Sequence, residues 1–255
     1  MSVTIIGVDC ATDGKRVGLA LGSMEDRQAG VIAARAGSRS ESIAELIARW
    51  IPEGGPTLLS VDAPLGWPVK LGEALLHHWA GMPINESPNE LFRRTTDRVV
   101  KQEIGRQPLD VGADRIARTA HAALQLLQEL REITGRSISL AWSPAIEGIS
   151  VIEVYPAATL TAYGIQASGY KKRSQAASRR RILDSLGKHL ALPSDTSVIV
   201  SNADVLDAVI CILAAVDFLL GKAIEPTNRE LAEKEGWIWV HRPPQIRRSC
   251  GEVEA

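Results

Sequence analysis

The stretch Ser60-Val61-Asp62-Ala63-Pro64-Leu65-Gly66-Trp67-Pro68 decides the fold. An apolar run over residues 57–61 leads into Asp62, and a turn rich in proline and glycine follows at once. Residues 3–10 show the same pattern, because an apolar run leads into Asp9 and small residues follow it. Short apolar runs bounded by turn residues are typical of buried strands. The sequence therefore predicts two buried strands that each end on an aspartate.

The elements around these two strands predict an α/β fold with a mixed sheet. Strands are expected at 16–21 and 28–34, where they would form an antiparallel meander with the first strand, and residues 40–50 show helical spacing. Because the strand at 57–62 follows a helix, we expect it to lie parallel to the first strand. Neighbouring strands lie about 4.8 Å apart, so acids at the same ends of both could bind one divalent ion, or two ions close together.

The strand signal disappears over residues 68–136, which we interpret as a helical insertion or cap. Within it the pattern predicts helices at 71–79 and 113–131. After it, helices are expected at 156–163, 174–188 and 204–220, and strands at 137–141, 150–154 and 236–240. Residues 1–242 are predicted to form a single domain. The polar tail, 243–255, is predicted to be disordered.

Further acids suit the same site. Glu153 ends the predicted strand at 150–154, and Asp204 and Asp207 lie at the start of the most apolar helix. Burying a lone charge costs several kcal/mol, on the order of a strongly destabilising mutation, so Asp207 needs a partner. Each acid alone has a simpler explanation: a strand-end aspartate can form a turn, Asp204 can cap its helix, and Glu153 can join a salt bridge. Their combination predicts a shared cation site.

The chain also resembles a known family in its short sequence motifs. The motifs are Gly7-Val8-Asp9, Val61-Asp62-Ala63-Pro64-Leu65-Gly66, Arg94-Thr95-Thr96-Asp97, Glu153-Val154-Tyr155-Pro156-Ala157, Gly169-Tyr170-Lys171 and Asp204-Val205-Leu206-Asp207-Ala208. Their order resembles that of the domain of unknown function 429 family, which is regarded as a predicted nuclease with a ribonuclease H-like fold. One departure is that Leu19, and not an aromatic residue, follows Gly18 in the second strand. It affects no acid.

The resemblance implies a ribonuclease H-like mixed sheet flanked by helices, with a helical insertion. It also implies metal-dependent phosphodiester hydrolysis with Asp9, Asp62 and Asp207 as metal ligands and with Glu153 or Asp204 completing the set. Asp9, Asp62, Glu153 and Asp207 would then be catalytic. Mg²⁺ or Mn²⁺ is the expected cofactor, since hard ions prefer oxygen ligands and no histidine lies near these acids in the sequence.

Two basic stretches are candidate nucleic-acid contacts. One contains Arg93, Arg94 and Arg98, and the other contains Tyr170, Lys171, Lys172 and Arg180. Basic clusters neutralise phosphates, and the affinity they provide falls with salt. The alternative is a solvated helix face in each case, and Asp97 could pair with the arginines beside it.

Composition restricts the remaining possibilities. The formal net charge of −1 indicates no global attraction to polyanions, so any nucleic-acid surface must be local. Three widely spaced cysteines without a CxxC pair argue against a zinc site or a disulfide framework. No signal peptide or membrane-spanning run is seen, so we expect a cytoplasmic protein with no membrane partner, which could form a homo-oligomer.

Two other functions remain open from the sequence. One is a nucleotide-binding phosphotransferase or ATPase of the actin and sugar-kinase superfamily, because residues 9–14 resemble its phosphate loop. Such proteins normally duplicate the fold, and 255 residues without a repeat are few for that. The other is a non-catalytic module that binds nucleic acid through the basic stretches.

Overall fold

The computed structural model describes residues 2–112 and 114–243, and its centre is a six-stranded mixed sheet. The strands are β1 (Val3–Asp9), β2 (Gly18–Glu25), β3 (Gln28–Ala36), β4 (Thr57–Asp62), β5 (Ile138–Leu140) and β6 (Ile149–Glu153). They lie in the order β3-β2-β1-β4-β6-β5. The first three form an antiparallel meander, and β4, β6 and β5 continue parallel to β1. This is the ribonuclease H-like arrangement, and it confirms the predicted fold class.

Helices cover both faces of the sheet. They are α1 (Ile43–Trp50), α2 (Val69–Leu76), α3 (Pro88–Phe92), α4 (Thr95–Ile104), α5 (Asp114–Thr134), α6 (Pro156–Ala162), α7 (Ala176–Leu186), α8 (Ser197–Ser201), α9 (Ala203–Leu219) and α10 (Arg229–Glu235). The apolar helix α9 packs on one face, and α1 and α5 pack on the other. Helices α2 to α5 lie between β4 and β5 in the chain, and α5 contributes Ala123, Leu127 and Leu130 to the core under α1. The division into one domain with an insertion stays a prediction.

Two glycines let α9 lie directly on the sheet. A Cβ atom at Gly7 would be 2.1 Å from the carbonyl oxygen of Ala208, and one at Gly18 would be 1.9 Å from that of Asp204. The hydroxyl of Ser60 donates a hydrogen bond of 2.7 Å to the carbonyl of Cys211 in α9. The close approach brings the first turns of α9 next to the carboxyl end of β1 and the first residue of β2.

Strand register decides which acids share a face. Asp9 pairs with Asp62, whereas Glu153 pairs with Val61, one residue earlier on β4. Successive side chains point to opposite faces, so a one-residue offset reverses the face. Asp9 and Asp62 therefore belong to the face that α9 covers, and Glu153 belongs to the face that α5 covers.

Several predicted elements need correction. Residues 236–240 form no regular strand; they make an isolated parallel bridge between Glu153 and Ile238. The second strand begins later than predicted, because a 3₁₀ turn occupies Gly14–Arg16. Helices α3, α4, α8 and α10 were not predicted. The predicted tail beyond residue 243 lies outside the described residues, as does Cys250. No helix in the described part of the chain combines the length and apolar character that a membrane crossing requires.

Candidate metal centre

Three aspartates from three elements converge at the carboxyl end of the parallel strands. Asp9 ends β1, Asp62 ends β4, and Asp207 lies in the second turn of α9. One carboxylate oxygen of each lies within 4.8 Å of the oxygens of the other two. Asp207 is fully buried and Asp9 is 9% exposed. We call these residues the aspartate cluster.

The electrostatics of the aspartate cluster disfavour three negative charges. Burial, followed by the charges of Asp62 and Asp207, raises the pKa of Asp9 to about 9. Burial and the charge of Asp207 raise the pKa of Asp62 to about 7. The pKa of Asp207 is also raised, mainly because it is buried. Close carboxylates in a low dielectric either share protons or bind a cation, so this cluster is suited to a positively charged ligand.

A loop before α7 places two groups on Asp207. The hydroxyl of Tyr170 donates a hydrogen bond of 2.5 Å to Oδ1, and Nζ of Lys171 lies 2.7 Å from Oδ2. Tyr170 is buried, whereas the side chain of Lys171 is 60% exposed. Lys171 thus supplies a cation from a partly exposed side chain, whereas Tyr170 contacts the cluster from within the protein.

Buried Arg179 holds this loop in place. Its Nη1 donates to the carbonyls of Tyr170 at 2.6 Å and Lys172 at 2.9 Å, and its Nε donates to the carbonyl of Val200 at 2.6 Å. The guanidinium thereby ties the loop to the end of α8. Sequence reasoning missed this role, because Arg179 lies in a basic run that resembles a solvated face and its partners are backbone carbonyls.

A second charged cluster lies at the same carboxyl end of the parallel strands, on the other face of the sheet. Arg94 donates through Nη1 and Nη2 to both oxygens of Glu153, at 2.8 and 2.7 Å, and through Nε and Nη2 to Asp97, at 3.2 and 2.9 Å. Glu153 also accepts from the backbone N–H of Leu65, three residues after Asp62, at 3.0 Å. We call Glu153, Arg94 and Asp97 the arginine cluster.

Two of the predicted site residues, Glu153 and Arg94, lie in the arginine cluster and not in the aspartate cluster. Glu153 is not among the residues that gather in the aspartate cluster, because its register places it on the opposite face. Arg94 is 1% exposed and its five N–H groups all have acceptors, so it presents no free donor to a phosphate in this structure. Burial is the largest single influence on the pKa of Arg94 and lowers it, but the charges and hydrogen bonds of Glu153 and Asp97 together outweigh burial, so the pKa is raised.

The other predicted residues lie outside the aspartate cluster. Asp204 lies in the first turn of α9 and its charge contributes to the raised pKa of Asp9, while Asn202 caps the helix. Lys172 is exposed on the Tyr170 loop, and Arg180 donates to the hydroxyl of Thr196. Arg93 pairs with Asp110 at 3.1 Å, and Arg98 donates to the carbonyl of Arg93. Of the basic side chains proposed from the sequence, Lys171 alone contacts one of the three aspartates in the described residues.

Comparison with known proteins identifies the family. No curated protein matches the chain. The structure of T. thermophilus RuvC in complex with a Holliday junction substrate is similar over 86% of this chain and 96% of that chain, at 12% identity and a TM-score of 0.34. The strand order, and not this similarity, identifies the fold. The model of DUF429, a family described as protein of unknown function, matches residues 7–231. The chain therefore belongs to the DUF429 family.

Proposed function

We propose that the protein is a metal-dependent nuclease that hydrolyses phosphodiester bonds of nucleic acid at the aspartate cluster. The observation that carries the proposal is the convergence of Asp9, Asp62 and Asp207, whose oxygens lie within 4.8 Å of one another. These residues come from distant parts of the chain and serve no common structural contact. Three acids brought together at the end of a sheet are a suitable cage for a divalent cation.

The donor set fits Mg²⁺ or Mn²⁺. All three side chains offer carboxylate oxygens, which hard divalent ions prefer, and no histidine or cysteine joins the group among the described residues. A cation would also compensate the repulsion that raises the pKa values of Asp9 and Asp62. When bound, a divalent ion would supply Lewis-acid stabilisation of the phosphate and activation of a water molecule. Asp204 remains a candidate additional ligand from the first turn of α9.

The remaining side chains bind and orient the substrate. Lys171 pairs with Asp207 and its side chain is 60% exposed, so the ammonium group can turn from Asp207 to a phosphate oxygen. Tyr170 fixes Asp207 through its hydroxyl, and Arg179 fixes the loop that carries both. Glu153 fixes the backbone of Leu65, and we assign it a positioning role for the turn after Asp62.

The structure gives less support to the phosphotransferase alternative. Asp13, in the stretch that resembles a phosphate loop, accepts a hydrogen bond from the N–H of Lys15 at 3.3 Å and pairs with Arg39 at 2.8 Å. The loop is therefore occupied by its own ion pair. The described residues also form one sheet and not the duplicated fold of that superfamily.

The direct test is cleavage of labelled single- and double-stranded DNA, RNA and hybrids with Mg²⁺ or Mn²⁺. We expect cleavage by the wild-type protein, loss of cleavage in EDTA, and a decrease of about 100-fold or more in Asp9→Asn and Asp62→Asn, since each removes a charge that stabilises the transition state through the metal. Asp184→Asn is the matched control, because Asp184 is an exposed aspartate on α7.

Two results would reject the proposal. One is the absence of metal-dependent cleavage of every substrate. The other is cleavage by Asp9→Asn and Asp62→Asn at the rate of Asp184→Asn, which would place the activity elsewhere.

A further inference from the structure

A small cleft opens beside the aspartate cluster, between the sheet edge and the segment before α5. Asp62 belongs both to the aspartate cluster and to the wall of this cleft. The rest of the wall includes Pro64, Leu109, Ile116 and Tyr155, with Arg94 and Glu153 also lining it. We call it the Tyr155 cleft. The cleft and the aspartate cluster therefore adjoin at Asp62, so one molecule can reach both.

Two charged side chains that line the Tyr155 cleft, Arg94 and Glu153, have their partners within the protein. All five N–H groups of Arg94 donate to Asp97, Glu153 and the carbonyl of Glu235. Both oxygens of Glu153 accept from Arg94, and one also accepts from Leu65. Apart from Asp62 and the hydroxyl of Tyr155, the side chains of the cleft wall are apolar or already hydrogen-bonded, so the cleft favours a flat, mainly apolar group.

One wall of the cleft exposes apolar surface without a structural reason. The side chain of Leu109 is 67% exposed at the cleft, in a chain whose other large apolar residues mostly lie in the core. Tyr155 offers an aromatic ring; burial, then the charge of Asp62, raise its pKa, so the phenol stays neutral. Both side chains offer apolar surface to a ring held in the cleft.

The size of the cleft restricts its occupant. Its volume is about 100 Å³, below the about 300–1,000 Å³ of pockets that enclose a drug-sized ligand. A single water needs about 10–15 Å³ by the same kind of measure, so the cleft has room for one ring system and not for a whole nucleotide.

We propose that the Tyr155 cleft binds one unpaired nucleobase of the strand whose phosphate lies at the aspartate cluster. The inference rests on the proposed function and narrows it to substrates with an unstacked base next to the cut: single strands, bulges, junctions or mismatches. A paired base cannot enter, because it would have to leave its stack. Recognition by stacking tolerates any base, so no sequence preference is expected from this contact.

The test compares oligonucleotide binding to the full-length protein in EDTA, where metal-dependent cleavage is absent. The probes are a DNA duplex with one unpaired 2-aminopurine, whose fluorescence is quenched by stacking, and the same duplex with that base paired. We expect the first duplex to bind about 5-fold or more tightly, with quenching. Leu109→Ala should abolish most of this difference. Leu76→Ala is the matched control, because Leu76 is 73% exposed on α2 and does not line the cleft.

Equal affinity for the two duplexes would overturn the inference, and so would an equal effect of Leu109→Ala and Leu76→Ala. Cleavage with Mg²⁺ is measured separately on both duplexes. Cleavage without preference for the unpaired base supports the nuclease proposal but rejects base binding in the Tyr155 cleft. Preferential binding without cleavage in the presence of any metal ion supports base binding in the Tyr155 cleft but rejects the proposed hydrolysis.

Discussion

The aspartate cluster and the arginine cluster lie at the same edge of the sheet, on opposite faces, and differ in where their positive charge comes from. In the arginine cluster the cation is Arg94, which is 1% exposed and bonded to two carboxylates. In the aspartate cluster the cation that the chain offers is Lys171, which is 60% exposed and contacts Asp207. The acids of the arginine cluster are neutralised by a buried cation, so removing that cation is costly, whereas the acids of the aspartate cluster have a partly exposed lysine as counter-charge and can accept a ligand.

Replacing Arg94, the buried cation of the arginine cluster, should change the free energy of unfolding more than any other substitution discussed below. Arg94→Met leaves Glu153 and Asp97 buried without a counter-charge, and breaking a buried pair in this way costs about 3–5 kcal/mol. We expect a decrease of that order in the free energy of unfolding, measured by urea denaturation. Arg98→Met is the control, since Arg98 is exposed and bonds mainly to nearby backbone.

The double variant sharpens the same comparison. Adding Glu153→Gln to Arg94→Met removes one of the two stranded charges, so part of the lost stability should return. If Arg94→Met unfolds at the same urea concentration as Arg98→Met, the arginine cluster does not stabilise the fold, and the contrast with the aspartate cluster fails.

Metal binding should have a smaller effect on stability, and it should depend on pH. Asp62 and Asp9 have folded-state pKa values raised to about 7 and about 9, above the about 4 of an unfolded carboxyl group. The folded state thus binds more protons between these values, and the free energy of unfolding of the metal-free protein falls as the pH rises from about 4 to about 9. A cation must displace those protons, so its affinity rises over the same interval.

The measurement is the thermal midpoint with and without Mn²⁺ from about pH 6 to about pH 9. We expect stabilisation by Mn²⁺ that grows with pH, reaching about 2.7 kcal/mol at a ligand concentration of 100 times Kd. Asp62→Asn should remove most of this shift, whereas Asp184→Asn should keep it. A Mn²⁺ shift that is independent of pH, or equal in the two variants, would contradict binding at the aspartate cluster.

The aspartate cluster was predictable from sequence because it depends on local rules. Apolar runs identify β1 and β4, the parallel order brings Asp9 beside Asp62, and an acid inside an apolar helix singles out Asp207. Gly7 also signals the close approach of α9, although its partner, Ala208, is visible only in the folded chain.

The pairing of Arg94 with Asp97 was among the alternatives that the sequence left open, but the link to Glu153 was not predictable, because it depends on register and on partners far apart in the chain. A shift of one residue separates the face of Glu153 from that of Asp62, and no pattern in β6 reveals the shift. Arg94 and Glu153 are 59 residues apart, and the polar helix that Arg94 precedes looks like a solvated surface. The same limitation applies to Arg179, whose acceptors are backbone carbonyls.

The smallest predicted effect is on ligand affinity and comes from replacing Lys171. Lys171→Gln removes the ammonium group that lies 2.7 Å from Asp207, so a divalent ion no longer competes with it, and Mn²⁺ should bind a few-fold more tightly, on the order of the 0.2–1 kcal/mol of an exposed ion pair. Binding of nucleic acid should weaken at the same time, and its dependence on log salt should become shallower by about one phosphate contact. Lys172→Gln is the matched control, because Lys172 is an exposed lysine on the same loop that the structure does not pair with an aspartate of the cluster. Calorimetry with Mn²⁺ and a salt titration of oligonucleotide affinity give both quantities. Opposite changes in the two affinities for Lys171→Gln, with an unchanged Mn²⁺ affinity in Lys172→Gln, would identify Lys171 as a cation that pairs with either the aspartate cluster or the substrate; parallel changes would reduce it to a general surface charge.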